Sequence, residues 1–210
     1  MFARQIFTRL TAFALAILGL AALRAQFDAL TGVTLTVDRI WAMAAYFTIL
    51  TNALLVLHLL AITKGWQIGP RRAGGLMVAI ATVGILYHAL LASQFPTEGL
   101  GWWADLGLHT LMPLGYAAWW LGFAPKAVRW RDVPEWLVWP ALYAAYALIR
   151  GGLTGFWPYS FLNVDALGWA HVARNLGALV LALLLLSLAV AALARIVHSA
   201  KPGWSKSVRP

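Results

Sequence analysis

The sequence predicts an all-α membrane protein, a bundle of six transmembrane helices with both termini in the cytoplasm, and three observations predict it. The first is composition: 62% of the 210 residues are hydrophobic and 11% are charged, against roughly a half and a quarter in soluble domains. The second is continuity, because six stretches each supply about 20 mostly apolar residues, enough to cross the hydrocarbon core. The third is charge asymmetry: 16 Lys and Arg stand against 7 Asp and Glu, for a net charge of +9, and the basic residues gather in alternate connecting segments. A soluble globular fold is excluded, and the whole chain, 1–210, reads as a single membrane domain. The absence of cysteine excludes disulfides, thiolate metal sites, iron–sulfur clusters and a cysteine nucleophile.

The first stretch, Ile6–Leu23, follows Arg4 and Arg9 in the manner of a secretory signal. No small-residue cleavage site follows and five further stretches do, so it reads as a retained helix. Ile40–Ile62 is closed by Lys64, and Ala73–Gln94 is preceded by Arg71 and Arg72. Trp103–Phe123 is followed by Lys126, Arg129 and Arg131, which lead into Trp136–Leu153. Gly151 and Gly152 end that stretch without the Lys and strand context of a phosphate cradle. Ala170–Ala194 runs into Arg195 and a tail with Lys201, Lys206 and Arg209. Only Arg24, Arg39, Arg150 and Arg174 fall on the opposite side, so the positive-inside rule places both termini in the cytoplasm. Tryptophans form a belt at each boundary: Trp41, Trp102, Trp103, Trp157 and Trp169 outside, Trp66, Trp130, Trp136 and Trp204 inside. Basic residues spread over several segments suit anionic headgroups rather than a nucleic-acid stripe, so membrane lipids and not nucleic acid are the expected partners.

Polar residues inside a bilayer are costly, which makes their depth informative. Thr48, Thr51 and Asn52 lie about two turns below the outer boundary of the second span, on one face. The fourth span brings Asp105, His109, Pro113 and Tyr116, the third Tyr87 and His88, the fifth Tyr143, Tyr146, Arg150 and Thr154, the sixth His171, Arg174 and Asn175. All fall in the outer third of the membrane, which predicts a polar pocket opening outward. Taken singly, Thr51, Tyr87, Tyr143 and Asn175 are better accounted for by hydrogen bonding between neighbouring helices.

Without cysteine, nucleophilic catalysis needs a hydroxyl, a base and a group that orients the base. Thr48, His109 and Asp105 supply these roles, imidazole being the side chain suited to accept a proton at neutral pH. Asp105 lies four residues before His109 on the same face and can fix its tautomer. Asn52 or Tyr146 can donate to an oxyanion or support the site. Arg150 and Arg174, with His88, His171 and Tyr159 in the same layer, suit an acidic headgroup. The scheme requires no cofactor. Two other classes compete: haem or metal binding through His88, His109 and His171, and a non-catalytic lipid-binding or transport protein.

Three segments carry a family resemblance: Tyr46-Phe47-Thr48-Ile49-Leu50-Thr51-Asn52, Leu108-His109-Thr110 with Pro113, and Thr154-Gly155-Phe156-Trp157-Pro158-Tyr159-Ser160-Phe161-Leu162. Together they resemble the androgen-induced membrane protein family and its six-helix bacterial relatives. The animal members are multi-pass threonine hydrolases that cleave fatty acid esters of hydroxy fatty acids with one Thr and one His. The resemblance implies Thr48 as nucleophile, His109 as base, a lipid substrate with an acyl chain, and a bacterial inner membrane location. The animal pattern has Asn where Asp105 stands and its Pro one position later. Either Asn or Asp can orient a histidine, but Asp105 also stabilises an imidazolium.

Overall fold

In lipid a chain satisfies its backbone polar groups within helices or a closed barrel, and long continuous apolar runs favour helices; every regular element among the described residues is helical. The computed structural model describes residues 2–92 and 98–200. Gln94, at the end of the third predicted stretch, and the tail residues Lys201, Trp204, Lys206 and Arg209 lie outside them.

Helix α1 (Phe2–Ala29) buries a stripe of small residues, Ala12, Ala16, Gly19 and Ala22, and leaves Phe7, Leu10, Phe13, Ile17 and Leu20 exposed. Small residues let helix backbones approach closely in lipid, and a Cβ on Gly19 would lie 2.5 Å from a Val56 methyl. A short helix α2 (Thr36–Met43) precedes α3 (Phe47–Thr63), which is buried around most of its circumference and forms the centre of the bundle. Helix α4 (Pro70–Leu86) continues through one π-helical turn, Tyr87–Leu91. Helix α5 (Gly99–Leu106) is joined to α6 (Met112–Phe123) by a second π turn, Gly107–Leu111. A single helical turn, α7 (Val133–Trp136), leads into α8 (Val138–Thr154). Another, α9 (Val164–Leu167), leads into α10 (Trp169–Ser199), which is largely exposed like α1. Helix α1 packs on α3, α5 and α6, and α4 packs on α3, α6 and α10.

Three helices, α1, α4 with its π turn, and α10, are each long and apolar enough to cross a membrane. A fourth crossing is formed if α2 and α3 count together. The stretch predicted as one helix over Ile40–Ile62 is broken instead: α2 meets α3 at 98°. Nothing in the local sequence Ala44-Ala45-Tyr46 forces this, and the reason is tertiary. The Tyr143 hydroxyl donates to the Ala45 carbonyl at 2.7 Å and the Tyr146 hydroxyl to the Ala44 carbonyl at 3.0 Å. The Phe47 amide donates to the Tyr159 hydroxyl at 3.1 Å. Backbone groups released by the break thus find side-chain partners where lipid offers none. Thr48 consequently sits in the first turn of α3, not two turns inside a straight span.

At the other end of the bundle the start of α1, the end of α6 and the end of α10 come together. Arg4, Gly122, Lys126 and His198 border one small cleft there, and the Arg4 guanidinium donates to the Gly122 carbonyl at 3.3 Å. The Lys126 ammonium donates to the carbonyls of Trp120 and Ala124 and lies over the Trp120 ring. Arg71 pairs with Glu135 at 2.9 Å at the foot of α4.

Candidate active site

Pro113 has no N–H, so the His109 carbonyl cannot take the usual bond from four residues on. The helix widens there into its π turn, and the Met112 amide bonds Gly107 instead. Such turns recur at functional sites because they re-aim side chains without ending the helix. Gly84 of α4 lies against this turn, and a Cβ there would stand 3.2 Å from the His109 carbonyl oxygen. Gly107 likewise admits Ala22 of α1.

His109 Nε2 lies 3.2 Å from Thr48 Oγ1, and its Nδ1 lies 3.0 Å from Asp105 Oδ1. The tautomer with its proton on Nδ1 satisfies both contacts: Nδ1–H donates to the carboxylate, and Nε2 is left to accept the Thr48 hydroxyl proton. Asp105 is itself fixed, because the Tyr87 hydroxyl donates to its Oδ2 at 2.6 Å. The Tyr87 ring also stacks on the imidazole, with centroids 3.9 Å apart and planes 16° from parallel. Thr48 is 8% exposed, and the side chains of His109 and Asp105 are 16% and 20% exposed. The group is therefore sheltered yet reachable.

Thr48 gains a second feature from its place at the head of α3. The Leu50 amide is the first to bond backbone, at Tyr46, and the Phe47 amide goes to Tyr159. The amides of Thr48 and Ile49 are left without a backbone partner among the described residues, as the first turn of a helix requires. They carry the positive end of the helix dipole beside the hydroxyl.

Two cavities meet at Thr48. The larger, about 370 Å³, lies beneath α2 and is bordered by Gln26, Leu30, Met43, Tyr46, Ile49, Leu108 and Phe156 together with Thr48, Asp105 and His109. The smaller, about 50 Å³, is a mostly apolar slot between α4, α8 and α10, bordered by Thr82, Leu86, Pro140, Ala144, Leu179 and Leu183. Thr48, Tyr87, Leu91 and Tyr159 border both.

Tyr159 reaches this junction because the chain turns back after α8. Gly155 adopts φ +68°, a left-handed helix cap, and Trp157 folds onto Gly151, where a Cβ would lie 2.3 Å from the indole. Asn52 serves as a brace: its Nδ2 donates to the carbonyls of Thr48 at 2.9 Å and Leu108 at 3.2 Å, tying α3 to the His109 turn. Those two bonds occupy the amide donors expected for an oxyanion. Tyr146 likewise spends its hydroxyl proton on Ala44 and borders a different groove.

The remaining polar residues do not converge. His88 is exposed and pairs with Thr110 at 3.0 Å. His171 and Arg174 are exposed on α10 and border neither cavity. Arg150 is buried, but in the groove that Tyr146 borders. Among the described residues no three His, Asp or Glu side chains come close enough to hold a metal ion, so His88, His109 and His171 do not form the ligand set that spacing alone allowed. Tyr87, which the sequence places in the polar layer without a role, is the member of the site whose part sequence reasoning missed. Comparison with protein-family models, curated proteins and solved structures found no match to this chain.

Proposed function

We propose that the protein is an intramembrane lipid-ester hydrolase with Thr48 as nucleophile, His109 as general base and Asp105 as the group that orients His109. The observation that carries this reading is the Thr48–His109–Asp105 relay at the junction of two cavities. The three motif segments resembling the androgen-induced membrane protein family support it, and so does the substrate class that the resemblance implies. In this reading an acyl arm of the ester lies in the larger cavity, with the carbonyl carbon over Thr48.

In the first step Thr48 Oγ bonds to the carbonyl carbon while its proton passes to His109 Nε2. The carbonyl electron pair moves to oxygen, for which the Ile49 amide, without a backbone partner at the head of α3, is the candidate donor, the Thr48 amide facing the Tyr159 hydroxyl. Collapse breaks the bond to the alcohol oxygen, which takes the proton from His109 and leaves as the free alcohol. Water, deprotonated by His109, then attacks the acyl-threonine, releasing the acid and restoring Thr48. Asp105 faces the imidazolium in both halves of the reaction. The bundle crosses the bacterial inner membrane six times in this reading, with Arg4, Lys126 and His198 at the cytoplasmic end and the site in the opposite leaflet.

A fluorophosphonate that reacts with activated hydroxyls tests the reading. Wild-type protein is expected to label, and Thr48→Ala and His109→Ala to lose labelling while eluting as folded species. Labelling that persists in Thr48→Ala moves the nucleophile elsewhere. A folded wild type that neither labels nor cleaves any of a panel of acyl esters favours a non-catalytic lipid-binding protein.

A further inference from the structure

Arg150 is 6% exposed. No carboxylate among the described residues pairs with it, and its Nε is buried without a hydrogen-bond partner. Its guanidinium donates once, from Nη1 to the Tyr146 hydroxyl at 2.9 Å, and stacks at 4.0 Å over the Trp41 indole. A buried cation held only by a neutral hydroxyl and a ring is costly to keep without a counter-charge. Arg150 also borders a groove of about 400 Å³ on the outer surface of α8, walled by Trp41 of α2 and by Leu142, Ala145, Ile149 and Leu153. Leu142, Ile149 and Leu153 are exposed by more than half. From Arg150 to Leu142 the groove follows α8 for about 12 Å at 1.5 Å per residue, most of the depth of one leaflet.

We infer that this groove binds an anionic lipid, its charged headgroup on Arg150 and one acyl chain laid along Ile149, Ala145 and Leu142. Charge complementarity selects the occupant: a planar guanidinium with unused N–H donors matches a phosphate or carboxylate in two-point contact. The length of the apolar wall requires that the anion carry a chain. The site is separate from the hydrolytic junction, since Arg150 borders neither of the cavities that meet at Thr48. Tyr146, whose hydroxyl accepts from Arg150 and donates to the Ala44 carbonyl, links the groove to the break between α2 and α3. The bound lipid therefore steadies the element that presents Thr48, and its binding does not depend on the protein being a hydrolase.

Native mass spectrometry of the detergent-solubilised full chain, titrated with phosphatidylglycerol, phosphatidylcholine or inorganic phosphate, tests the site. Phosphatidylglycerol is expected to bind about tenfold tighter than phosphatidylcholine, the scale of one charge-assisted contact, and Arg150→Gln to abolish that preference. Ala145→Phe fills the groove from an exposed position and leaves Arg150 intact, so it is expected to lose the phosphatidylglycerol adduct even if Arg150→Gln fails to fold. Equal binding of the two lipids, or a preference that survives both substitutions, overturns the site. Inorganic phosphate binding that depends on Arg150 without any lipid preference overturns the lipid as occupant.

Discussion

His109 is held from three directions, and each hold predicts a different loss. If His109 is the base, as proposed, His109→Ala is expected to lower kcat/KM for an acyl ester by about 10³-fold, within the usual range for a general base. Asp105→Asn keeps a partner for Nδ1 but gives up the charge facing the imidazolium, so a loss of about 10²-fold is expected. Tyr87→Phe keeps the stacked ring and deletes only the hydroxyl donated to Asp105, which predicts a fall of about tenfold, mainly in kcat. Steady-state kinetics on the three variants checks the order. Spacing brought Asp105 and His109 to one face, and the structure puts them in contact. The contact with Thr48 was legible as shared depth and as a pairing that the motif resemblance implies. Depth does not tell which way a side chain points around its helix, and for that reason His171 and Arg174 share the layer but face outward from α10. Tyr87 was obscured by the same ambiguity, because any tyrosine near a span end reads as a neighbour's hydrogen-bond partner.

Among the elements, the break between α2 and α3 determines most of the site's geometry. It exposes backbone groups in an apolar setting and rests on tyrosine hydroxyls from α8 and from the segment after it. Tyr143→Phe and Tyr146→Phe each leave a carbonyl without its donor, which costs about 1–3 kcal/mol apiece. Thermal unfolding in detergent is expected to shift down for both. The double variant is expected to lose Thr48 labelling below its unfolding temperature. Hydropathy ran unbroken across this point with neither Pro nor Gly to mark it, so sequence gave a single span. The cause lies about a hundred residues away in the chain, where no local pattern reaches. The π turn at His109, by contrast, has its physical cause in Pro113, four positions on.

Over the whole molecule, charge separates the two ends. Arg4, Arg71, Lys126 and His198 gather at one end, while Thr48, Asp105 and His109 lie towards the other. The all-helical class was legible because the apolar runs are long and unbroken, as spanning helices require, not short and alternating as in a barrel. The number of crossings was less so, since α8 is 17 residues long and α5 and α6 are joined through a π turn. Because the chain has no cysteine, single-cysteine variants report topology cleanly. A membrane-impermeant maleimide is expected to label Gly32→Cys in intact cells and Ser199→Cys only after permeabilisation. The reverse pattern inverts the bundle and moves the site to the cytoplasmic leaflet.

The corner ahead of Thr48 also orders events during synthesis. Its stabilising hydroxyls lie 98, 102 and 112 residues downstream. A nascent chain halted before α8 therefore has the threonine and the histidine but lacks the scaffold that sets them. Under the proposed hydrolase reading the site is complete only once nearly all of the polypeptide has left the ribosome, and a copy ended before α8 is expected to be inert.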